Sequence, residues 1–135
     1  MLDMTSRQAE ALLHAAKAKA TQIGISVSIV VLDSAGHLKA FARMDGAWLG
    51  SIDVALKKAK TSVLFEAETQ AVWEVCKPGA QAHGLEMTND GLVTFAGGIP
   101  IKASDGRLIG AAGVSGGQVG QDFEIARAGV SALEL

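Results

Sequence analysis

The chain has 135 residues and a formal net charge of -2 at pH 7; hydrophobic residues make up 49 % of it, and tyrosine is absent. This length predicts one domain, residues 1–135, with a core of small aliphatic side chains. The balanced charge argues against nucleic acid as a partner, and no run approaches the ~18 apolar residues of a membrane span. We therefore expect a soluble, cytoplasmic protein that acts away from membranes.

The first predicted element is a helix that begins after Thr5. Thr5 and Gln8 have the spacing of a capping box, and Gly24 is placed to end the helix. Apolar residues at helical spacing form its predicted buried stripe: Ala9, Leu12, Leu13, Ala16, Ala20 and Ile23. His14 lies on the opposite, polar side, where it faces either water or another subunit.

A hairpin is predicted next. Residues 26–33 are rich in β-branched side chains, which favours a central strand buried on both faces. Residues 37–44 form its partner, with Leu38, Ala40, Ala42 and Met44 on one face and His37, Lys39, Phe41 and Arg43 on the other.

The same hairpin carries candidate catalytic residues. Asp33, His37, Arg43 and Asp45 are close in sequence and could supply acid, base and anion contacts to a substrate. Turn formation is the alternative role for the two aspartates.

The middle of the chain predicts two helices and an irregular segment. Ser51 is a plausible N-cap for a helix that turns Ile52, Leu56, Ala59 and Val63 inward and places the basic cluster Lys57, Lys58 and Lys60 on a solvated face. Residues 68–77 form a shorter helix that Pro78 ends. Cys76 is expected to be a buried structural thiol. The irregular residues 80–91 include His83, a further catalytic candidate.

The last third predicts three strands and a helix. Residues 92–96 form a strand, and residues 99–103 and 108–114 form a hairpin around Asp105-Gly106. The final helix has one apolar face: Val119, Phe123, Ala126, Val130 and Leu133. The whole pattern indicates an α+β domain with one mainly antiparallel sheet of five strands.

Glycines around this hairpin suggest a ligand site. Loop N–H groups and the following helix start could hold an anion, with candidate substrate-binding residues Gly97, Gly98, Gly113, Gly116 and Gly117. Tight turns and close packing are the alternative role. The spacing matches neither a dinucleotide fingerprint nor a P-loop, and a single cysteine gives no zinc spacing.

Several motifs together resemble a known family. The segments DSAGHLKAFARMDGA (33–47), SID (51–53), KAKT (58–61), GGIPI (97–101) and GAAGVSGG (110–117) are similar to those of the haem-binding GlcG, HbpS and PduO C-terminal-domain family. The resemblance covers essentially the whole chain. It implies a profilin-like or PAS-like fold with a five-stranded antiparallel sheet, and assembly into homo-oligomers.

The resemblance also implies a ligand. Haem ligation in the PduO-like branch is associated with a histidine of the N-terminal helix, which here is His14, the candidate metal ligand. Arg43 or a lysine would pair with the haem propionates. The first hypothesis is therefore a homo-oligomer that binds haem or a related flat anion, with haem degradation or redox sensing as possible activities.

Two other hypotheses stay open. One is an enzyme or accessory protein that acts on a carboxylated or aromatic metabolite at a pocket around Arg43 and the glycine loops. The other is a purely structural role for the oligomer.

Overall fold

The computed structural model describes residues 3–135; the first two residues of the predicted domain lie outside the described residues. The elements, in chain order, are α1 (Ser6–Ile23), β1 (Ser28–Asp33), β2 (Leu38–Arg43), α2 (Ser51–Phe65), α3 (Thr69–Cys76), a 3₁₀ turn (Leu85–Met87), β3 (Gly98–Lys102), β4 (Leu108–Ser115) and α4 (Val119–Ser131). The α+β class predicted from the sequence is confirmed. No helix among residues 3–135 has the length and apolar character needed to cross a bilayer.

The described strands form one antiparallel sheet in the order β2-β1-β4-β3. The predicted fifth strand, residues 92–96, is wrong. Its backbone finds partners elsewhere: Leu92 N–H donates to the Glu86 carbonyl, and Val93 N–H donates to Thr61 Oγ1 of α2 at 3.2 Å. The alternation of buried and exposed residues in this segment therefore comes from packing beside helices.

Helices α1 and α4 cover one face of the sheet, and α2 covers the other. Ile29 and Val31 of β1 pack with α1 and α4, whereas Val30 and Leu32 pack with α2. Because successive strand residues point to opposite faces, β1 is buried on both sides, as predicted. α3 contacts α2 and β3.

Glycine lets α2 lie directly on β4. A Cβ at Gly113 would clash with the Ala55 carbonyl oxygen and would lie 2.7 Å from the Ala59 nitrogen. Both contacts are to backbone, which cannot move aside easily. The small residues of α2 and this glycine thus set a close helix–sheet distance.

The predicted faces of β2 and α2 differ from the structure. A register shift between Val31 and Leu32 pairs Leu38 with Leu32, so Leu38 leaves the predicted Ala40 face and shares the α2 side with Phe41. In α2, Ile52 and Leu56 are exposed, and the helix buries its smaller residues and Lys58 instead.

The terminal helices agree better with the sequence. Thr5 and Gln8 form the predicted capping box of α1, and Gly24 ends that helix in the left-handed conformation. In α4, however, Val119 is exposed while Asp122 and Ile125 are buried.

Candidate functional site

His14 lies near the middle of α1 and is exposed on the helix side away from the sheet. Exposed Ala11 and Ala18 flank it on one side, and exposed Glu10 and Lys17 flank it on the other, each within one helical turn. The alanines leave the imidazole unobstructed on their side. Within residues 3–135, His14 makes no ion pair or side-chain hydrogen bond, so its nitrogens are available to a ligand.

The hairpin candidates are separated by the structure. Asp33 Oδ1 accepts the N–H groups of Ala35 and His37 at 3.0 and 2.9 Å, which is the turn role considered for this aspartate. Arg43 lies at the other end of β2, about 17 Å along the strand. Asp45 is exposed in the turn beyond it. Asp33 and His37 therefore cannot share one small substrate with Arg43 and Asp45.

His83 lies elsewhere again. It is exposed in the turn after α3, with its N–H bonded to the Ala80 carbonyl. α3 packs beside β3, whereas β2 is the opposite edge of the sheet. His83 is thus remote from the hairpin candidates.

The five candidate glycines divide into two groups. Gly97, Gly98 and Gly113 are buried, and a Cβ at Gly98 would lie 2.5 Å from the Lys58 carbonyl oxygen. Gly116 and Gly117 instead border a surface cleft. The structure therefore gives the first group a packing position and leaves the second group accessible to a ligand.

This cleft, called here the Trp48 cleft, is open and about 710 Å³ in volume; it is lined by Trp48, Leu49, Ser51, Val54, Ser115 and the Gly116–Gly117 loop. Trp48 is 77 % exposed. Ser51 donates to the Trp48 carbonyl at 2.6 Å and lies 2.8 Å from Ser28 Oγ. The cleft thus combines an aromatic wall with a floor of hydroxyl groups.

A buried ion pair lies behind the glycine loop. Lys58, predicted to be solvated, is 0 % exposed; its Nζ donates to Asp122 Oδ2 at 3.1 Å and to the Val114 carbonyl at 2.8 Å. The Phe95 ring lies 5.0 Å away. Asp122 Oδ1 accepts the Gly117 N–H at 2.9 Å, so the pair ties α2 and α4 to the loop.

The charge state of Lys58 depends on this environment. Burial lowers the pKa of Lys58 below its ordinary value, and the neighbouring Asp122 carboxylate opposes that shift. A fully buried lysine that bonds to a carboxylate and to a backbone carbonyl, with an aromatic ring beside it, has a structural role. The sequence carried a signal for it, because Ser51, Ala55, Ala59 and Ser62 mark a small-residue buried face that also includes position 58.

Cys76 occupies the predicted buried position at the end of α3. Burial, and then the neighbouring Glu86 carboxylate, raises the pKa of the Cys76 thiol. A protonated, buried thiol is a poor nucleophile and a poor metal ligand. Among residues 3–135, no three His, Cys, Asp or Glu side chains are grouped to hold a metal ion.

The fold and these surfaces define an α+β protein with an antiparallel sheet between helices and a solvent-facing histidine on its first helix. A family model described as haem degrading protein HbpS-like matches residues 4–131. The chain belongs to this HbpS-like family. The resemblance stated from sequence motifs is thereby confirmed.

Individual proteins are also similar to this chain in sequence. The chain is 38 % identical over 120 residues to a 15.0 kDa protein encoded between dhaT and dhaS in Citrobacter freundii, covering 88 % of this chain and 84 % of that one. It is 38 % identical over 125 residues to the corrinoid adenosyltransferase PduO of Salmonella typhimurium strain LT2, covering 92 % of this chain. The match spans only 37 % of PduO.

One solved structure is especially informative. The crystal structure of a PduOC:heme complex superposes with a TM-score of 0.92 at 36 % identity, covering 98 % of this chain and 96 % of that chain. The whole described fold therefore has a counterpart in a domain that was crystallised with haem.

Proposed function

We propose that this protein is a homo-oligomeric haem-binding protein that uses His14 of α1 as its iron ligand. The observation that carries the proposal is the exposed imidazole without a protein partner, on a helix of a fold shared with the PduOC:heme complex. A neutral imidazole is an established protein ligand of haem iron. No other histidine of the chain is on a helix.

The surroundings of His14 fit a flat macrocycle. Ala11 and Ala18 add almost no height to the helix surface beside the imidazole, so a planar ring can approach the iron-ligating nitrogen without displacing a side chain. Arg7 lies two helical turns away, about 10.5 Å along the axis, in line with His14. Arg7 and Lys17 are exposed cations on opposite sides of His14 along the helix, so a propionate edge turned toward either end of the helix would meet a cation.

Arg43 does not fit this role within one chain. Its register partner is Ser28, which bonds to Ser51 of α2, so Arg43 lies on the α2 face of the sheet. α1 and His14 cover the other face. A single subunit would therefore hold the propionates with Arg7 or Lys17, whereas Arg43 could reach the haem only from a second subunit.

A hemin titration followed by absorbance tests the assignment. Wild-type protein should give a saturable, stoichiometric Soret shift, and His14→Ala should lose it while retaining its far-UV circular dichroism. His37→Ala and His83→Ala are matched controls, because both histidines are exposed and lie outside α1. A Soret shift unchanged in His14→Ala would show that the assignment is wrong.

Self-association is supported by apolar surface on the α2 side. Leu38, Phe41, Ile52 and Leu56, with Val30 beneath, line a wholly apolar groove, and Leu38 is 59 % exposed. Contiguous apolar surface of this kind is typical of protein interfaces. We assign the groove, formed by β2 and the first half of α2, to contact with a second copy.

Light scattering after gel filtration tests this contact. Leu56→Glu should place a charge in the interface and reduce the molar mass to that of a smaller assembly. Met87→Glu is the control, since Met87 is also exposed but lies in the 3₁₀ turn. An unchanged molar mass for Leu56→Glu would remove the groove from the assembly.

A further inference from the structure

We propose that Asp45 is a site of spontaneous covalent modification, at which the Asp45-Gly46 backbone rearranges through a cyclic imide to an isoaspartyl linkage. An isoaspartyl residue carries a free α-carboxylate, so the modified chain becomes a substrate for enzymes that methylate isoaspartyl groups with S-adenosylmethionine. The proposal is independent of haem binding, because Asp45 lies in the loop between β2 and α2, whereas His14 lies on α1.

Three Asp-Gly pairs occur in the sequence, at residues 45–46, 90–91 and 105–106. In each pair the glycine has no side chain that would shield its backbone nitrogen, and the three glycines adopt positive φ angles of 88°, 94° and 88°. All three aspartates are exposed. Residue type, backbone angle and exposure therefore do not distinguish the pairs, and any selectivity must come from the hydrogen bonds of the reacting groups.

The reacting groups of the first pair make no hydrogen bond to the protein. Their turn is closed by a bond of 3.0 Å from the Ala47 N–H to the Met44 carbonyl, so Asp45 and Gly46 are its two central residues. The Gly46 N–H takes no part in that bond and has no acceptor among residues 3–135. The Asp45 carboxylate likewise makes no hydrogen bond or ion pair with a described residue. The nitrogen and the carboxyl group can therefore meet without first breaking a hydrogen bond of their own.

The glycines of the other two pairs are the last residues of their turns, and their N–H groups close those turns. Gly91 donates to the carbonyl of Thr88, and Gly106 donates to the carbonyl three residues before it, at 2.9 Å in each case. Asp105 is held as well, because its Oδ1 accepts the Arg107 N–H at 2.9 Å. Each such bond must break before the nitrogen can attack, which slows the reaction by a factor of about two to ten per bond.

The rearrangement needs only the groups of the chain and water. The Gly46 nitrogen attacks Cγ of the protonated Asp45 carboxyl group; the N–Cγ bond forms, the Cγ–OH bond breaks, and the hydroxyl leaves with the amide proton as water. Water then opens the imide. Attack at Cγ restores aspartate, whereas attack at the α-carbonyl carbon breaks its bond to nitrogen and leaves the chain connected through Cγ. One water is released and one is consumed, and nothing is oxidised or reduced.

The isoaspartyl linkage changes the loop that leads into α2. It places one extra backbone carbon between the Asp45 Cα and the Gly46 nitrogen, so the bond from Ala47 to Met44 cannot keep its present geometry. The two ends of the turn are fixed, because the Met44 N–H donates to the Val27 carbonyl at 3.0 Å and Ala47 is only 5 % exposed. The added length must therefore be accommodated by the exposed central residues.

Ageing of the native protein followed by peptide mapping tests the site. After incubation at neutral pH, trypsin places the three Asp-Gly pairs in separate peptides, residues 44–57, 61–102 and 103–107. Isoaspartyl methyltransferase with labelled S-adenosylmethionine measures the isoaspartate in each peptide, and electron-transfer fragmentation locates the modified residue. Peptide 44–57 should gain isoaspartate about twofold to tenfold faster than peptide 61–102, and the lead over peptide 103–107 should be larger still, because two hydrogen bonds hold that pair.

Unfolded protein and two variants are the controls. In guanidinium chloride the three turns are lost, so the three pairs should react at similar rates. Asp45→Glu keeps the charge but would require a larger, less readily formed ring, and it should abolish methylation of peptide 44–57 in the native protein. Asp105→Glu makes the same change at another exposed turn and should leave that methylation unchanged.

Three results would overturn the proposal. Equal rates at the three pairs in native protein, or faster methylation of either other peptide, would show that the free Gly46 N–H does not select the site. Methylation of peptide 44–57 that persists in Asp45→Glu would place the reaction at another residue. A preference for peptide 44–57 that is unchanged after unfolding would assign it to local sequence and exclude the turn as its cause.

Discussion

Replacing Lys58 with methionine removes one charge from the most enclosed ion pair described in the structure. Methionine retains a long apolar chain, so the change in packed volume is small. The Lys58 ammonium donates to Asp122 and to the Val114 carbonyl. After the substitution, the Gly117 N–H is the one hydrogen-bond donor left to the Asp122 carboxylate among the described residues.

The expected loss of free energy of unfolding follows from the burial of Asp122. Asp122 is 2 % exposed, and removing one partner of a buried pair typically costs 3–5 kcal/mol, about a third of the stability of an ordinary domain. The midpoint of thermal unfolding should fall by about 10 °C or more. Urea unfolding followed by circular dichroism measures the free energy directly.

A second variant distinguishes charge from packing. Lys58→Met combined with Asp122→Asn keeps an amide oxygen for the Gly117 N–H but leaves no buried charge. The double variant should be more stable than Lys58→Met alone, with a coupling energy of about 1–3 kcal/mol. A loss below about 1 kcal/mol in the single variant, or strictly additive effects, would refute this reasoning.

The same pair predicts a pH dependence. Because burial lowers the folded-state pKa of Lys58 below the ordinary value of 10.5, the unfolded chain binds more protons between these two values. The free energy of unfolding contributed by Lys58 should therefore rise with pH in that window. The difference between wild type and Lys58→Met isolates this contribution, and a decrease with pH would contradict it.

Three further predictions test the core and the N-terminus. Gly113→Ala should lower the free energy of unfolding by about 2–3 kcal/mol, because the added Cβ would clash with the backbone of α2. The control Gly120→Ala, whose Cβ would meet nothing within 4 Å, should be neutral or stabilising by up to about 1 kcal/mol. Equal losses of stability in the two variants would contradict the packing argument. Cys76, buried and with a raised pKa, should react with Ellman's reagent at about pH 8 only after unfolding in urea, so rapid labelling of native protein would contradict its assignment as an inert thiol. Burial acts to raise the pKa of Asp3, but the N–H groups of Ser34 and Met4 outweigh it and hold that pKa below 3.8. Asp3→Asn should therefore lower the free energy of unfolding by about 1 kcal/mol at neutral pH and by progressively less below about pH 4. A loss of stability that is independent of pH would exclude the carboxylate charge as its source.

Local signals predicted much of the fold because they act between neighbouring residues. The capping box of Thr5 and Gln8 starts α1, and the Asp105-Gly106 turn joins β3 to β4, with Gly106 at φ 88°. Each depends on hydrogen bonds or backbone angles within a few residues. No distant part of the chain can easily change these preferences.

Hydrophobic periodicity alone predicted neither the buried face of α2, which small residues mark instead, nor the absence of a strand at residues 92–96. Ile52 and Leu56 are more apolar than Ala55 and Ala59, yet close approach to Gly113 of β4 selects the smaller residues for burial. Burial of Lys58 depends on an aspartate 64 residues later in the chain. Such long-range partners are invisible to helical periodicity.

The grouping of candidate site residues likewise depends on pairing between strands that are distant in the sequence. Residues 33–45 are close in sequence, but Asp33 lies at the turn end of the β1–β2 hairpin and Arg43 lies at its open end. Ser115, about 70 residues from this hairpin in the sequence, shares a face of the sheet with Arg43 through two strand registers. Residues of this sheet share a surface when they are aligned across neighbouring strands. Short separation along the chain predicts a shared surface less well.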